Sequence, residues 1–311
     1  MVARILGIGR SLRPRQWLKN AAVFAGIVLT GRLTEPAAII SVIQAFLLFN
    51  AVSSAMYLVN DVLDRERDLQ HPFKRYRPIA RGLVPVRLAL TLAFALIMVS
   101  LPLAYALNIN FFVAVVLYLL LQVAYSSFLK HIILVDVMAI AVGFILRVYA
   151  GVWVIDAHLS VWFFLCVLSG ALFLAIAKRR SELTLLGAQA ESHRKILSHY
   201  PAALLDILTT MFATAAWLSY AMFVFLFEGY EPRRRFAEFL TDFFSQSAEN
   251  TKWLMLTVPI VTYGVMRYLY IVYEKKQGES PERVLLSDKP MLATAVLWVG
   301  SVIGILYVLG K

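Results

Sequence analysis

A chain of 311 residues that is 60% hydrophobic and only 16% charged carries too little charge to wet the surface of a soluble domain. The net charge of +11 would point to nucleic acid in a soluble protein. In a chain with this many apolar runs it follows instead from the positive-inside rule, so the sequence implies a lipid bilayer and no nucleic acid.

The apolar runs reach the length needed to cross a hydrocarbon core of about 30 Å. They fall at 18–31, 36–59, 87–106, 110–129, 132–154, 158–177, 205–227, 252–273 and 290–309. The fold class is therefore all-α, a polytopic membrane protein of nine transmembrane helices. The first run is short and interrupted by Gly26 and Gly31. The stretch before it, MVARILGIGRSLRPRQWLKN, is basic but has no small-residue cleavage site, and reads as a retained cytoplasmic end. Within it Arg15, Trp17, Lys19 and Asn20 form an amphipathic entrance, suited to a lipid headgroup or to interfacial anchoring. With nine spans and the N-terminus cytoplasmic, 22 lysines and arginines fall on the inner side and 6 on the outer. That asymmetry places the C-terminus outside. Cys166 is the one cysteine, which excludes intrachain disulfides and cysteine-based metal sites.

The densest charge follows the second run, in NDVLDRERDLQHPFKRYRPIARG, residues 60–82. If the helix continues past the membrane, Asn60, Asp64 and Asp68 line one face at i, i+4, i+8, with Asp61 close enough to join them. Stacked carboxylates repel one another, and hard divalent cations favour such oxygen ligands. Mg²⁺ takes few protein carboxylates and completes its shell with water and substrate phosphates, so the pattern points to a diphosphate as well as a metal. The competing reading is a solvated helix end whose acids pair with Arg65 and Arg67. Pro72, Pro78 and Gly82 then turn the chain back. Lys74, Arg75, Arg77 and Arg81 are left to hold phosphate oxygens or, for some of them, only to fix topology.

Further along, Tyr125 and Lys130 fall at the cytoplasmic end of the fourth span, within reach of such a donor. The fifth span carries Asp136 and Arg147, eleven residues apart on one face. Ionisable groups there are functional candidates because burying them is costly. Arg147 either binds an acceptor phosphate or makes a structural ion contact. The loop between spans 6 and 7 opens AKRRSELTLLG, where Lys178, Arg179 and Glu182 are phosphate and sugar candidates or an intrahelical salt pair. The outer loop after span 7 contains FAEFLTDFF, whose apolar residues share a helical face. It suits an interfacial helix or a buried cap.

Asn60-Asp61-x-x-Asp64-x-x-x-Asp68 after the second of nine spans resembles the UbiA superfamily of intramembrane prenyltransferases, over nearly the whole chain. The resemblance implies a helical bundle around a cavity, with a Mg²⁺–diphosphate site at its cytoplasmic mouth. The aromatic prenyltransferases of that superfamily carry a second DxxxD motif between spans 6 and 7, and this sequence lacks it. RPRQWLKN, YSSFLKHIILVDVMAIAVGFILRVYAG, RYLYIVYEKKQGESPERVLLSDKP and the Lys178-Arg179…Glu182 segment are similar instead to the decaprenyl-phosphate phosphoribosyltransferase branch. That branch implies 5-phosphoribosyl diphosphate as donor and a polyprenyl phosphate lipid as acceptor, in the synthesis of arabinose donors for the cell wall. It also implies two Mg²⁺ ions on Asn60, Asp61, Asp64 and Asp68. Lys178 and Arg179 would then meet the lipid or donor phosphate, and Glu182 would orient a base or bind a ribose hydroxyl. Residues 1–311 form one catalytic domain on this reading, with loops 60–86, 178–204 and 274–289 capping the site in the cell membrane, facing the cytoplasm. The sequence leaves a homo-oligomer open. A prenyl diphosphate:aromatic prenyltransferase is the nearest rival. An anion transporter is opposed by the odd span count, the lack of an inverted repeat and the stacked acids.

Overall fold

The computed structural model describes residues 2–70, 74–186, 199–227, 252–275 and 281–309. Among them there is helix and no strand. Among the described residues eight helices are long and apolar enough to cross a membrane: 36–63, 86–107, 109–127, 135–153, 161–184, 202–225, 253–273 and 289–308. Each lies on one of the runs from the second to the ninth. The first run departs from expectation. Pro14–Phe24 is a 3-10 helix of 11 residues, followed by a five-residue α-helix, Ala25–Leu29. Polar residues interleaved through RQWLKN deny the segment an apolar α-helical face, and its buried Asn20 is fixed by side-chain bonds instead of by span-like packing. The outer loop with FAEFLTDFF lies outside the described residues.

In chain order the α-helices are α1 (Val2–Ser11), α2 (Ala25–Leu29), α3 (Pro36–Leu63), α4 (Arg65–Gln70), α5 (Val86–Leu107), α6 (Ile109–Ser127), α7 (Val135–Trp153), α8 (Val161–Leu186), α9 (Ala202–Phe225), α10 (Val258–Tyr273), α11 (Pro281–Ser287) and α12 (Lys289–Ile303). Their boundaries follow local chemistry. Pro36 opens α3, where a missing N–H costs nothing. Asn108 alone separates α5 from α6, and its side chain accepts from the Asn110 and Phe111 amides at 2.8 and 3.1 Å.

Two compact units are formed. The first holds residues 1–27 and 35–158. Here α3 packs on α5 and on the 3-10 helix, and α6 packs on α7. Phe49, Phe111 and Tyr118 make its aromatic centre, with Phe49–Tyr118 centroids 4.9 Å apart. The 3-10 helix lies against α7 because Gly151 lets the Val23 backbone approach; a Cβ there would stand 1.8 Å from the Val23 carbonyl oxygen. The second unit holds residues 28–34 and 159–311, with α8 packed on α9 and α10 on α12. Phe173, Ala177, Tyr268, Ile271 and Val284 are among its core residues. Leu47, Phe94 and Leu120 in the first unit and Ile207, Met266 and Val296 in the second are exposed apolar side chains, as lipid contact requires.

One ion cluster in the second unit yields a stability prediction. Asp288 takes Arg267 through both oxygens at 3.1 and 2.9 Å, takes Lys275 at 2.8 Å, and caps α12 through the Met291 amide. The Arg267 and Lys275 hydrogen bonds hold its carboxyl well below the usual carboxylate range. A depressed folded value means stability present above pH about 4 and lost as pH falls below it. Asp288→Asn is expected to lower stability at pH 7 by about 1–2 kcal/mol. Melting curves of both proteins in detergent should converge as the pH drops below 4; a constant gap would refute the assignment.

Candidate active site

The acidic segment begins inside α3 and ends in α4. The expected single helix is broken at Asp64, whose φ and ψ of −92° and 6° leave the helical region. The break is one residue deep. Asp64 N still bonds to Asn60 O at 2.9 Å and Asp68 N to Asp64 O at 2.8 Å, so the four-residue spacing survives.

The four side chains divide into two groups. Asp61 and Asp68 are seven residues apart, nearly two full turns, and so share a face. Both are buried, at 2% and 3% exposure. Arg77 Nη1 joins them, 3.0 Å from Asp61 Oδ1 and 2.6 Å from Asp68 Oδ2. Asp61 Oδ1 also takes Arg13 Nη2. A carboxylate buried without such partners would cost several kcal/mol. Asp64 is different. Its side chain is 35% exposed, and its ion pairs with Lys130 and Arg67 are long, at 3.8 and 4.0 Å. Asn60 Oδ1 accepts from Ser126 Oγ at 2.6 Å.

The return loop explains how Arg77 arrives. Ile79, Ala80 and Val84 are buried, Ile79 and Val84 in a cluster with Ala55, Leu58 and Ala89. Gly82 takes the left-handed φ of +75° that the turn needs. Apolar docking thus returns the loop across the end of α3 and swings Arg77 over the acids. The other loop bases are more open. Lys74, Arg75 and Arg81 are exposed, with Arg75 donating to the Tyr76 hydroxyl at 2.9 Å and Arg81 6.0 Å from the Tyr76 ring centroid.

Among the described residues, no three acidic, histidine or cysteine side chains already enclose a point where an ion could sit. The oxygens of Asn60, Asp64 and Asp68 nonetheless fit Mg²⁺, which uses one or two carboxylates and leaves most of its shell to water and phosphate.

Deeper in the same unit, Arg147 is buried at 6% exposure. It donates to Asn20 Oδ1 at 2.7 Å, the Gly143 carbonyl at 2.8 Å and the Tyr118 hydroxyl at 2.9 Å, all of them neutral. Asn20 in turn donates to Asn50 and Ser53. Asp136 is fully buried in the first turn of α7, three turns from Arg147. Lys19 and Tyr125 are partly buried.

In the second unit, Lys178 and Arg179 converge on Glu182 at 3.8 and 2.7 Å, with Arg179 buried at 1%. This is the intrahelical salt pair that the spacing allowed. Arg180 holds Asp206 at 2.6 Å, and the Tyr273 hydroxyl donates to the same oxygen.

Sequence reasoning missed Arg13, Ser126, Tyr118 and Asp206 as partners. Arg13 had one visible signal, its place before Pro14 in the RPRQWLKN stretch. The others carry none, because their contacts join segments tens of residues apart.

Comparison with known proteins agrees with this arrangement. A family model described as the UbiA prenyltransferase family matches residues 20–288. A decaprenyl-phosphate phosphoribosyltransferase of Corynebacterium glutamicum is 34% identical, covering 97% of this chain and 87% of the relative. One of Mycolicibacterium smegmatis is 33% identical, covering 97% and 93%. Among solved structures, a UbiA homolog from Archaeoglobus fulgidus bound to GPP and Mg²⁺ aligns with TM-score 0.68 at 19% identity, over 96% of this chain and 99% of that one. The last is a likeness of fold alone. Eight membrane-length helices, an acidic motif at the end of α3 and the family match across most of the sequence lead to one conclusion: the chain belongs to the UbiA prenyltransferase family, a family of transferases.

Proposed function

We propose that this protein transfers the 5-phosphoribosyl group from 5-phosphoribosyl diphosphate to a polyprenyl monophosphate of the decaprenyl type, releasing diphosphate. The product would feed synthesis of cell-wall arabinan precursors. The observation that carries this reading is the pairing of an acidic row, Asn60–Asp64–Asp68, open at Asp64, with a returning basic loop. Relatives named for this activity, at about a third identity over almost the full chain, support it. The proposal includes nine membrane crossings, with Pro14–Leu29 as the first, a cytoplasmic N-terminus and a site facing the cytoplasm; the distribution of basic residues supports it.

Asn60, Asp64 and Asp68 would hold Mg²⁺, two ions on the reading that the family resemblance implies. When bound, Mg²⁺ neutralises the diphosphate and stabilises it as a leaving group. Lys74, Arg75, Arg77, Arg81 and Lys130 bind phosphate oxygens and fix the donor's orientation. The bond from ribose C1 to the diphosphate oxygen breaks as an acceptor phosphate oxygen bonds to C1 from the opposite face, inverting the anomeric centre. A phosphate monoester is already anionic, so no strong general base is required. Proximity and charge neutralisation supply the rate. Lys178 and Arg179 are assigned to a phosphate and Glu182 to a ribose hydroxyl, at the expense of their mutual salt pair. Arg147, with its guanidinium nitrogens engaged by protein, is assigned a structural part instead of acceptor binding.

The test uses purified protein, Mg²⁺, radiolabelled 5-phosphoribosyl diphosphate and a polyprenyl phosphate, following label into the organic phase. Wild type should transfer label, and Asp64→Asn should slow transfer by about 10²-fold, as loss of one preorganised charge-stabilising group does. A wild-type preparation that binds Mg²⁺ yet moves no label would sink the reading and bring forward transfer of a prenyl group to an aromatic acceptor.

A further inference from the structure

We propose that Asp61 is a positioning residue and not a cation ligand, and that it presents Arg13 as a further binding residue for a substrate phosphate. The inference rests on the phosphoribosyl-transfer reading for the identity of that substrate.

Three observations separate Asp61 from its neighbours. Its carboxylate is 2% exposed, and its Oδ1 already receives two guanidiniums. Asp64, by contrast, is open and only loosely paired. Asp68 is buried like Asp61 and lies about 20° from it around the helix, but among the described residues it receives one guanidinium, Arg77, where Asp61 receives two.

Arg13 shows what the buried charge is for. Its backbone sits in the left-handed region at φ 53° and ψ 59°, a conformation that costs a non-glycine residue free energy and persists where surrounding structure enforces it. The enforcement is visible on both sides. The Leu12 carbonyl accepts from Ser54 Oγ at 2.9 Å, and Trp17 Nε1 donates to the same hydroxyl at 3.0 Å. The Tyr57 ring lies 4.9 Å from the guanidinium carbon. Arg13 is therefore held from its backbone, from one ring face and from Asp61 through Nη2. Its side chain remains 26% exposed, and Nε and Nη1 make no bond to any described residue. A guanidinium fixed at one end with an open donor edge matches a phosphate group. Arg77 is the second guanidinium on Asp61, and together they balance Asp61 and Asp68 in charge, so neither is surplus to the fold.

The phosphate belongs either to the soluble donor or to the lipid acceptor, and kinetics separates the two. Mn²⁺ binding, followed by its EPR signal, should be within about twofold of wild type for Arg13→Gln and Asp61→Asn, and weaker by about tenfold or more for Asp64→Asn. Arg13→Gln should raise KM for one substrate by about tenfold, with partial recovery in Arg13→Lys. A rise in donor KM places Arg13 on the donor; a rise in acceptor KM places it on the lipid phosphate. Loss of Mn²⁺ binding in a folded Asp61→Asn protein, matching Asp64→Asn, would overturn the positioning role. Unchanged KM values for both substrates in Arg13→Gln would overturn the binding role, and this variant decides the matter if Asp61→Asn does not fold. Failure of wild type to transfer label would count against the reaction itself, while the Mn²⁺ titration would still decide Asp61.

Discussion

Gly151→Ala is expected to destabilise the protein by at least about 3 kcal/mol, more than an alanine for glycine exchange in a helix normally costs in either direction. The added Cβ would meet the Val23 carbonyl oxygen at 1.8 Å and its carbon at 2.6 Å. Both atoms are backbone, so no rotamer change relieves the clash, and α7 or the 3-10 helix must move by more than 1 Å. A Cβ added at Gly26, at the start of α2, would stand 3.1 Å from the Val152 backbone, so the chain stays close to α7 just past the end of the 3-10 helix. Displacement there is transmitted to Asn20 and Arg13 on the same 3-10 segment, and activity should fall with stability. Gly300→Ala is the control, since a Cβ at that α12 position has nothing within 4 Å. Melting midpoints in detergent that fall equally for the two variants would show that the close approach does not matter.

Replacement of Arg147 by Met is expected to cost about 3–5 kcal/mol, from three charge-assisted hydrogen bonds at about 1.5–3 kcal/mol each, less the desolvation of the charge. The volume is roughly kept, so the loss is one of partners: Asn20 Oδ1 and the Tyr118 hydroxyl are stranded in a buried site. Asn50 Nδ2 is already without a partner among the described residues, so the network has little slack. Arg147→Lys should do nearly as badly, because a single ammonium cannot reach Asn20, Gly143 and Tyr118 together. Tyr118→Phe removes one acceptor and should cost about 1 kcal/mol. A stable, active Arg147→Met protein would mean that the buried cation contributes nothing to the fold, and would return Arg147 to the list of acceptor-binding candidates.

The helices were legible because the bilayer imposes a length and apolarity that no other requirement competes with. Eight runs became eight helices, most ends shifted by a few residues. The first run was not legible as what it is. Its apolar tail suggested an α-helix, but the 3-10 geometry depends on the fit of Val23 to Gly151 and of Asn20 to Arg147, contacts across more than 120 residues. The acidic site was legible in spacing and not in pairing. Asn60, Asp64 and Asp68 keep the four-residue row, yet the rival reading assigned the acids to Arg65 and Arg67, and the close partners turned out to be Arg13 and Arg77. Sequence neighbours are favoured by any local argument, whereas Arg77 returns only because Ile79 and Val84 are drawn into the apolar cluster. The Lys178–Arg179–Glu182 pairing, set by three- and four-residue spacing within one helix, was the kind of contact a sequence does disclose.

The 3-10 segment has a further consequence, one of reach. Eleven residues rising about 2.0 Å each extend about 22 Å, where an α-helix of the same residues would extend about 16 Å. That is the reach of about fifteen residues of α-helix. The slender winding thus gives a short polar-studded sequence the span of a longer one. Rewinding it as an α-helix would draw its N-terminal end in by about one helical turn, and with it the arginine that now rests on Asp61.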